Sequence, residues 1–175
     1  PGIGKTTTAE LLIDAIGADK LKINASLKGN IDTLRTEITQ FATTISFAGG
    51  KKYIILDEAD NITNATQTAL RGFIDEFSSN CGFIFTCNYR EKILDPIADS
   101  RLMEISFAID KEELSEVAKQ LYDKLKSILD AESIKYDPVD IQKLIIHYVK
   151  QNTDFRKIIN SLQKGVDDEG VFTFD

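Results

Sequence analysis

The sequence predicts an α/β fold, with a parallel sheet flanked by helices and followed by a small three-helix domain. Up to residue 107, apolar stretches typical of buried strands alternate with stretches whose apolar residues recur at helical spacing. Beyond residue 107 only the helical spacing continues. Strands and helices that alternate at this length indicate a doubly wound sheet. We therefore expect two domains, residues 1–107 and residues 108–175.

The chain opens with a glycine-rich stretch that leads directly into a predicted helix. In a loop of this kind, backbone N–H groups and a lysine surround a triphosphate, and the hydroxyl of the first threonine binds Mg²⁺. The candidate binding residues are Gly2, Ile3, Gly4, Lys5, Thr6 and Thr7. The full pattern has another glycine two residues before Pro1 and a strand before that, so we expect this sequence to be a fragment. The alternative is a glycine turn before an ordinary helix, which only other motifs can exclude.

A second motif supports the loop. The apolar run 53–56 ends in Asp57 and Glu58, as expected of a buried parallel strand whose carboxyl end delivers carboxylates to a ligand crevice. Alone, the same run could be a core strand followed by an acidic turn in solvent. Because the loop and the paired acids occur together, we interpret them as one nucleotide site.

Periodicity predicts the other elements of the first domain. Helices are expected with apolar faces at Ala9, Leu12, Ile13 and Ile16, from Ile31 to Ile45, and from Leu70 to Phe77. Strands are expected at 21–25, 82–87 and 102–107, with a proline-containing turn at 93–99. The first two helices should end at Gly17 and at Gly49-Gly50.

Three helices and no strand are expected in the second domain. Asp110 and Glu113 resemble a capping box at the start of the first helix. Pro138 can begin the second, because proline is favoured at the first helical position. Asp154 can cap the third, and Gly165 can end it.

Composition narrows the classes of function. The net charge is −7, and both parts are acidic: residues 1–107 hold 11 Lys and Arg against 14 Asp and Glu, and residues 108–175 hold 10 against 14. Since affinity for DNA rests on neutralising phosphates, one copy alone should bind DNA poorly, and any contact must come from a local patch multiplied by oligomerisation. No run approaches the ~20 apolar residues of a membrane span and no signal peptide is visible, so we expect no membrane association. Cys81 and Cys87 lack the spacing of a metal site and are expected to be reduced core thiols of a cytoplasmic protein.

In this order, the motifs resemble those of AAA+ ATPases, and among them the sliding-clamp-loader subunits, both replication factor C small subunits and the T4-type phage loader subunit. The resemblance covers nearly the whole chain. It implies a P-loop AAA+ core and a helical lid, without the family's N-terminal stretch and C-terminal collar domain. It also implies ATP and Mg²⁺ as cofactors. Lys5 would neutralise the β- and γ-phosphates, Thr6 and Asp57 would hold the metal, and Glu58 would act as a general base on the attacking water.

Two more residues match the family's sensors of bound nucleotide. Asn88 follows the strand after Asp57 and matches the first sensor, a neutral hydrogen-bonding group near the γ-phosphate. As asparagine is also a common turn former, a plain turn is the alternative. Arg156, in the stretch Asp154-Phe155-Arg156, matches the second sensor, which contacts the nucleotide of its own subunit.

Ser100-Arg101 matches the start of the loaders' Ser-Arg-Cys motif, whose arginine reaches the ATP of the neighbouring subunit. Leu102 replaces the cysteine, which weakens the match without affecting the arginine. The alternative is a surface arginine that pairs with Asp99 or Glu104.

The remaining matches are weaker. Asn24 resembles the residue that holds the catalytic glutamate inactive until DNA arrives, and Gln67 resembles a glutamine that links neighbouring nucleotide sites. Both could equally be surface amides. Lys28, Arg35 and Arg71 are candidate DNA contacts, with a solvated face as the alternative.

The resemblance implies a motor subunit of a clamp loader. Such subunits assemble with copies of themselves or with relatives, here expected as a pentamer, open a sliding clamp, and hydrolyse ATP when primer–template DNA is bound. The expected location is the cytoplasm, or the host cytoplasm for a viral source.

Three other functions compete with this one. The stretch Asp57-Glu58-Ala59-Asp60 spells the box of DEAD helicases, but those enzymes need a second RecA-like domain where a helical domain is expected here. Another AAA+ machine, such as a branch-migration motor or a protein-remodelling ATPase, is a closer alternative. The third is a non-hydrolysing stator subunit, against which the intact site residues argue.

Overall fold

The computed structural model describes residues 2–28, 30–46, 49–149 and 154–174. They form two compact units, Lys5–Ser106 on the one hand and Phe107–Asp175 with Pro1–Gly4 on the other. Residues 2–4, which we expected in the first domain, thus group with the C-terminal helices. The backbone explains this, because the Phe155 N–H donates to the Gly2 carbonyl oxygen at 3.1 Å.

The unit Lys5–Ser106 contains the expected parallel sheet flanked by helices. Its strands, in the spatial order β1-β2-β3, are β1 (Lys20–Asn24), β2 (Lys52–Asp57) and β3 (Cys81–Phe85). Its helices are α1 (Lys5–Ala15), α2 (Ala25–Lys28), α3 (Ile31–Thr43), α4 (Asn64–Phe77) and α5 (Asp95–Arg101), with 3₁₀ turns at Ala59–Asn61 and Arg90–Lys92. All three strands run in one direction, so their carboxyl ends lie at one edge of the sheet.

Strand β2 is the centre of this unit, because its residues pack on both faces of the sheet. Ile54 and Leu56 belong to the core that includes α3 and α4, whereas Ile55 packs against Ala9 and Ile13 of α1. Burial on both faces is what a parallel strand between helices requires. Asp57 is the last residue of β2 and is paired with Asn24 of β1.

Lys52, the first residue of β2, is a buried cation with only 4% of its surface exposed. Its ammonium donates to the carbonyl oxygens of Phe41 and Thr44 and lies 4.9 Å from the centre of the Phe41 ring. The last carbonyl groups of a helix lack intrahelical donors, and the helix dipole favours a cation there. Lys52 therefore closes the C-terminal end of α3.

The second unit is a bundle of three helices with a short strand pair. The helices are α6 (Leu114–Ala131), α7 (Pro138–Val149) and α8 (Phe155–Lys164), and the strands β4 (Lys135–Tyr136) and β5 (Val171–Phe172) pair in parallel. As predicted, α7 begins at Pro138, and Asp154 caps α8 by accepting from the Lys157 N–H at 3.1 Å. The expectation of no strand in this region was wrong, since β4 and β5 form a short ladder. Phe172 of β5 is fully buried in the bundle core.

The strand expected at 102–107 was also wrong. Residues 102–110 belong to no helix or strand, and within the described residues β3 forms a ladder with β2 alone. A strand is defined by the hydrogen bonds of its neighbour, so alternating apolar residues do not suffice without a partner strand.

Some helix ends and buried faces differ from those predicted. In α1 only Ala9 and Ile13 are buried, while Leu12 and Ile16 are 59% and 62% exposed. Helix α3 ends at Thr43, which leaves Ile45 outside it and 90% exposed. Helix α6 begins at Leu114, after Glu113, so the expected capping box lies in the preceding turn.

The structure bears on two expectations drawn from composition, the state of the cysteines and the presence of a membrane span. Cys81 and Cys87 are free, and burial raises the pKa of both thiols, which favours the protonated form. Within the described residues, no helix combines the length and the apolar character that a membrane crossing requires.

Candidate active site

The glycines of the loop have backbone conformations that other residues rarely adopt. Gly2 has φ +70° and Gly4 has φ +88°, both in the left-handed region. At Gly2 a Cβ atom would lie 1.9 Å from Oδ1 of Asp154, so a side chain there would displace that carboxylate. Ile3 is partly buried between them, and Lys5 begins α1 directly afterwards. Since the first N–H groups of a helix have no intrahelical partners, this start of α1 is suited to an anion.

Asp57 lies at the carboxyl end of β2 and contacts three polar side chains. The hydroxyl groups of Thr6 and Thr86 donate to its Oδ1 at 2.7 Å and 2.5 Å, and the ammonium of Lys22 lies 3.6 Å from its Oδ2. Thr6 and Asp57 were the two predicted metal ligands, and the structure brings them together. Thr7, the next residue of α1, is exposed.

The environment of Asp57 keeps its carboxyl group ionised. Burial raises its pKa, but the hydrogen bonds from Thr6 and Thr86 and the charge of Lys22 outweigh burial, so the pKa lies below its ordinary value. At neutral pH the group is therefore a carboxylate with oxygen lone pairs available to a cation.

Glu58 follows Asp57 in a left-handed conformation, with φ 56°. A residue other than glycine adopts this conformation at a cost of about 1–3 kcal/mol, so the surrounding contacts must impose it. The Glu58 N–H donates to Oγ1 of Thr86 at 3.3 Å, and the Ala59 N–H donates to the Thr86 carbonyl oxygen at 2.9 Å. The residue itself is exposed. Glu58 is thus exposed, whereas Leu56, two residues earlier in β2, is fully buried.

Thr86 was missed by sequence reasoning although it is 7% exposed and bonds to both acidic positions. The available signal was a polar residue that directly follows the apolar stretch of β3 and stands two positions before Asn88.

Lys5 and Asn88 also meet. The Lys5 ammonium donates to the side-chain oxygen of Asn88 at 2.8 Å. The predicted phosphate-binding lysine and the predicted first sensor are therefore neighbours at the same edge of the sheet as Asp57.

Lys22 of β1 was the second residue that sequence reasoning missed. Besides approaching Asp57, its ammonium forms an ion pair with Glu10 of α1 at 2.6 Å. The hydrogen bond that the Lys22 ammonium donates to the Glu10 carboxylate is the main cause of its raised pKa, so Lys22 is a cation at neutral pH. The signal was its register: Asn24 pairs with Asp57, and Lys22 stands two residues earlier on the same face of the sheet.

Arg101, at the end of α5, has all three guanidinium nitrogens engaged. Nε and Nη2 donate to the two carboxylate oxygens of Asp75 in α4 at 2.7 Å and 2.9 Å, and Nη1 donates to the Pro96 carbonyl oxygen at 2.6 Å. The alternative pairing with Asp99 or Glu104 was therefore wrong.

Arg90 takes the two carboxylates that we had considered for Arg101. Its Nη2 lies 2.5 Å from Asp99, and its Nε lies 3.2 Å from Glu104. Action of Arg101 on a neighbouring subunit stays a prediction.

The two candidate coupling residues differ in burial. Gln67 is 1% exposed, donates to the carbonyl oxygens of Ile62 and Lys92 at 3.1 Å and 2.8 Å, and accepts from the Leu94 N–H at 2.8 Å. A surface amide was therefore the wrong alternative for this residue. Asn24 lies opposite Asp57, and its side-chain oxygen accepts from the N–H and the hydroxyl of Ser26 at 2.9 Å and 2.6 Å.

The candidate DNA contacts and the second sensor lie apart from this cluster in the sequence. Lys28 pairs with Glu37 at 2.7 Å, and the Arg35 guanidinium lies 5.7 Å from the centre of the Phe73 ring. Arg71 is exposed in α4. Arg156 belongs to the other compact unit, where it is exposed in the first turn of α8.

Comparison with curated proteins identifies relatives over most of the chain. The replication factor C small subunit of Methanosarcina mazei is 38% identical over 170 residues, which cover 93% of this chain and 47% of that protein. The sliding-clamp-loader large subunit of Enterobacteria phage T4 is 37% identical over 181 residues, which cover 99% of this chain and 55% of that protein. The chain spans about half the length of these relatives. The predicted resemblance to clamp-loader subunits is thus confirmed.

Comparison with solved structures confirms the fold. RuvB of Thermotoga maritima superposes with a TM-score of 0.59 at 14% identity, covering 97% of this chain and 61% of that chain. At this identity the likeness concerns architecture alone. The family described as "ATPase family associated with various cellular activities (AAA)" matches residues 1–111. Because this match covers more than half of the chain, the chain belongs to this AAA family of ATPases.

Proposed function

We propose that this chain is the ATPase core and helical lid of a motor subunit of a DNA sliding-clamp loader. One observation carries the chemistry: residues distant in sequence meet where β2 and β3 end. Thr6 bonds to Asp57 across 51 positions at 2.7 Å, and Lys5 bonds to Asn88 across 83 positions at 2.8 Å. The names of the two curated relatives support the choice of a clamp loader among AAA machines.

The donor set fits Mg²⁺. A hydroxyl and a carboxylate, Thr6 and Asp57, provide the oxygen ligands that this ion takes, and a nucleotide would supply phosphate oxygens as further ligands. When bound, Mg²⁺ neutralises charge on the transferred phosphoryl group. Thr6 and Asp57 are thus the residues proposed to hold it.

The other residues of the site have separate proposed roles in phosphate binding and in activation of water. Lys5 binds the β- and γ-phosphates, with Asn88 as the side chain that orients it, and the N–H groups after Gly4 bind phosphate oxygens. Glu58 orients the attacking water and accepts its proton. Thr86 positions Glu58 by accepting its N–H and positions Asp57 by donating to it.

Arg101 is proposed to stabilise the transition state in the pocket of a neighbouring subunit. Its contacts with Asp75 and the Pro96 carbonyl hold the guanidinium in one orientation at the end of α5. Arg156 is proposed to contact the nucleotide of its own subunit from the start of α8.

The proposed partners are other loader subunits in a pentamer, a sliding clamp and primer–template DNA, with Asn24 and Gln67 as coupling residues. Because the chain is acidic, DNA binding would depend on several copies that each contribute residues such as Lys28, Arg35 and Arg71. The proposed location is the cytoplasm.

Steady-state ATP hydrolysis by the full-length protein, measured with and without its clamp and primed DNA, tests this function. We expect stimulation by clamp and DNA together. Hydrolysis that neither component changes would contradict a clamp loader, and a DNA junction that stimulates it better than primed DNA would favour a branch-migration motor.

The arginine is tested by the variant Arg101→Ala. Turnover should fall by about 10³–10⁵-fold, as when other arginine fingers are removed, while nucleotide binding stays unchanged. The exposed Lys92→Ala variant serves as the control. In a homo-oligomer, mixing Lys5→Ala with Arg101→Ala subunits should restore part of the turnover, because some interfaces then join an intact pocket to an intact arginine. Absence of recovery would contradict action in trans.

A further inference from the structure

Three charged side chains form a row beside the proposed metal ligands. Glu10 of α1, Lys22 of β1 and Asp57 of β2 are joined by the Lys22 ammonium, which lies 2.6 Å from the Glu10 carboxylate and 3.6 Å from the Asp57 carboxylate. The side chains are 33%, 42% and 15% exposed in that order, so Asp57 is the most shielded from water. An ammonium therefore stands beside the carboxylate proposed to hold Mg²⁺.

The two oxygens of Asp57 have different partners. Oδ1 accepts from the hydroxyl groups of Thr6 and Thr86, whereas Oδ2 faces Lys22. The charge of the carboxylate is therefore balanced from within the protein before any metal is bound. A cation held next to a metal site repels a divalent ion, and more strongly in a partly desolvated site than in water.

The protein offers few additional ligands to a metal ion at this site. Within the described ranges, no group of three or more His, Cys, Asp and Glu side chains is arranged to hold a metal. One carboxylate and one hydroxyl opposed by an ammonium make a weak site until phosphate oxygens add negative charge.

We propose that Lys22 is a positioning residue that makes metal binding at Thr6 and Asp57 depend on bound triphosphate. Without nucleotide, Lys22 holds the Asp57 carboxylate in place and opposes Mg²⁺. With nucleotide, the phosphate charge outweighs the ammonium, and Glu10 retains Lys22. This inference rests on the nucleotide site proposed above.

Two substitutions have opposite expected effects. Lys22→Met leaves the Glu10 and Asp57 carboxylates without a cation between them, so a divalent ion should bind more tightly. Glu10→Gln removes the competing partner of the ammonium, which then neutralises Asp57 more fully, so a divalent ion should bind more weakly.

The test is a titration of the nucleotide-free full chain with Mn²⁺, in which free and bound ion are followed by electron paramagnetic resonance. For Lys22→Met we expect about tenfold tighter Mn²⁺ binding than for the wild type, from the Coulomb energy of one charge near a divalent ion. Lys22→Arg keeps the charge and should restore wild-type affinity. Glu10→Gln should bind Mn²⁺ more weakly than the wild type.

Lys20→Met is the matched control. Lys20 also lies on β1 and pairs with α1, through Asp14 at 2.6 Å, but it is not a neighbour of Asp57. Its loss should leave Mn²⁺ affinity unchanged. Unchanged or weaker Mn²⁺ binding in Lys22→Met, or a gain of the same size in Lys20→Met, would overturn the inference.

A second measurement separates positioning from a merely structural role. Nucleotide affinity is measured in EDTA and in Mg²⁺: a structural defect lowers both affinities and the thermal stability, whereas the proposed role leaves the affinity in EDTA unchanged.

If Lys22→Met does not fold, the Glu10→Gln variant is the deciding test, and an unchanged Mn²⁺ affinity in that variant overturns the inference. A wild-type chain that binds no Mg²⁺–ATP would overturn the proposed function itself, whereas normal Mg²⁺–ATP binding with an inert Lys22 overturns this inference alone.

Discussion

The two units of the chain bury polar side chains to different extents. In the unit Lys5–Ser106 the buried polar or charged residues are Lys52, Asp60, Thr66, Gln67 and Thr86. Among the described residues of the other unit, Asp154 alone is of this kind, and it caps a helix beside a loop glycine. The helical unit is therefore held together by apolar packing. The unit Lys5–Ser106 instead also buries polar side chains, and one of them, Thr86, donates to Asp57 in the proposed site.

Polar burial has a visible cost in the sheet unit. Oδ1 of Asp60 is buried and has no hydrogen-bond partner among the described residues. A buried acceptor without a donor costs about 1–3 kcal/mol, and more for a charged group. The sheet unit is thus less well optimised for stability than its apolar core alone would indicate.

The largest expected effect concerns catalysis in the unit Lys5–Ser106. Glu58→Gln removes the proposed general base at an exposed position, so turnover should fall by about 10²–10⁴-fold while the free energy of unfolding stays nearly constant. Single-turnover hydrolysis and chemical denaturation measure the two quantities. Glu91→Gln, in the exposed turn after β3, is the control and should change neither. A loss of turnover that merely follows a loss of stability would contradict the catalytic role.

The next effect concerns the helical unit. Leu125 of α6 is fully buried, so Leu125→Ala should lower the free energy of unfolding by about 2–5 kcal/mol, through lost burial and the cavity left behind. Leu12→Ala removes the same atoms at a position that is 59% exposed and should cost far less. Denaturant titrations give both values. Equal costs for the two variants would show that the helical unit is not stabilised by its apolar core.

Lys52 tests whether polar burial stabilises the sheet unit. Lys52→Met keeps the apolar stem but leaves the carbonyl groups of Phe41 and Thr44 without their donor, so we expect a loss of about 1–3 kcal/mol. Lys51→Met, at the exposed neighbouring position, should be nearly neutral. An increase in stability on removing Lys52 would mean that its desolvation costs more free energy than its hydrogen bonds contribute. Polar burial would then not stabilise the unit Lys5–Ser106 at this position.

The smallest expected effect is the acid dependence of stability that Asp57 contributes. Its pKa is lowered in the folded state, so its contribution is fully present above the unfolded pKa of about 4 and is lost as the pH falls through the folded value. In metal-free buffer, the difference in unfolding free energy between wild type and Asp57→Asn should therefore shrink as the pH is lowered below about 4. A difference that stays constant with pH would mean that Asp57 gains nothing from Thr6, Thr86 and Lys22.

Local patterns predicted much of this fold, and the reasons are physical. Pro138 and Asp154 stand at helix starts because their effects on the backbone are local. The meeting of Thr6 with Asp57 was predictable because the first threonine after a phosphate-binding loop and an acid at a strand's carboxyl end both serve the same nucleotide site. The end of α3 was less predictable, since the apolar period continues to Ile45 beyond its last turn.

What could not be predicted depends on register and on distant partners. Lys22 meets Asp57 only because β1 and β2 pair in one particular register, and that register is not written in either strand alone. Asp75 meets Arg101 because α4 and α5 lie side by side. The extended stretch after Arg101 likewise needed knowledge of which neighbours it has.

Helix α4 holds the segment between β3 and the end of α5 at two places. Near its start, Gln67 bonds to the backbone of Lys92 and Leu94, and in its last turn Asp75 bonds to Arg101. Because of these two attachments, a shift of α4 would move Arg101 together with the helix, and Arg101 would not move independently. Structures in different nucleotide states should then show an unchanged spacing between Gln67 and Arg101, with both displaced together relative to β2.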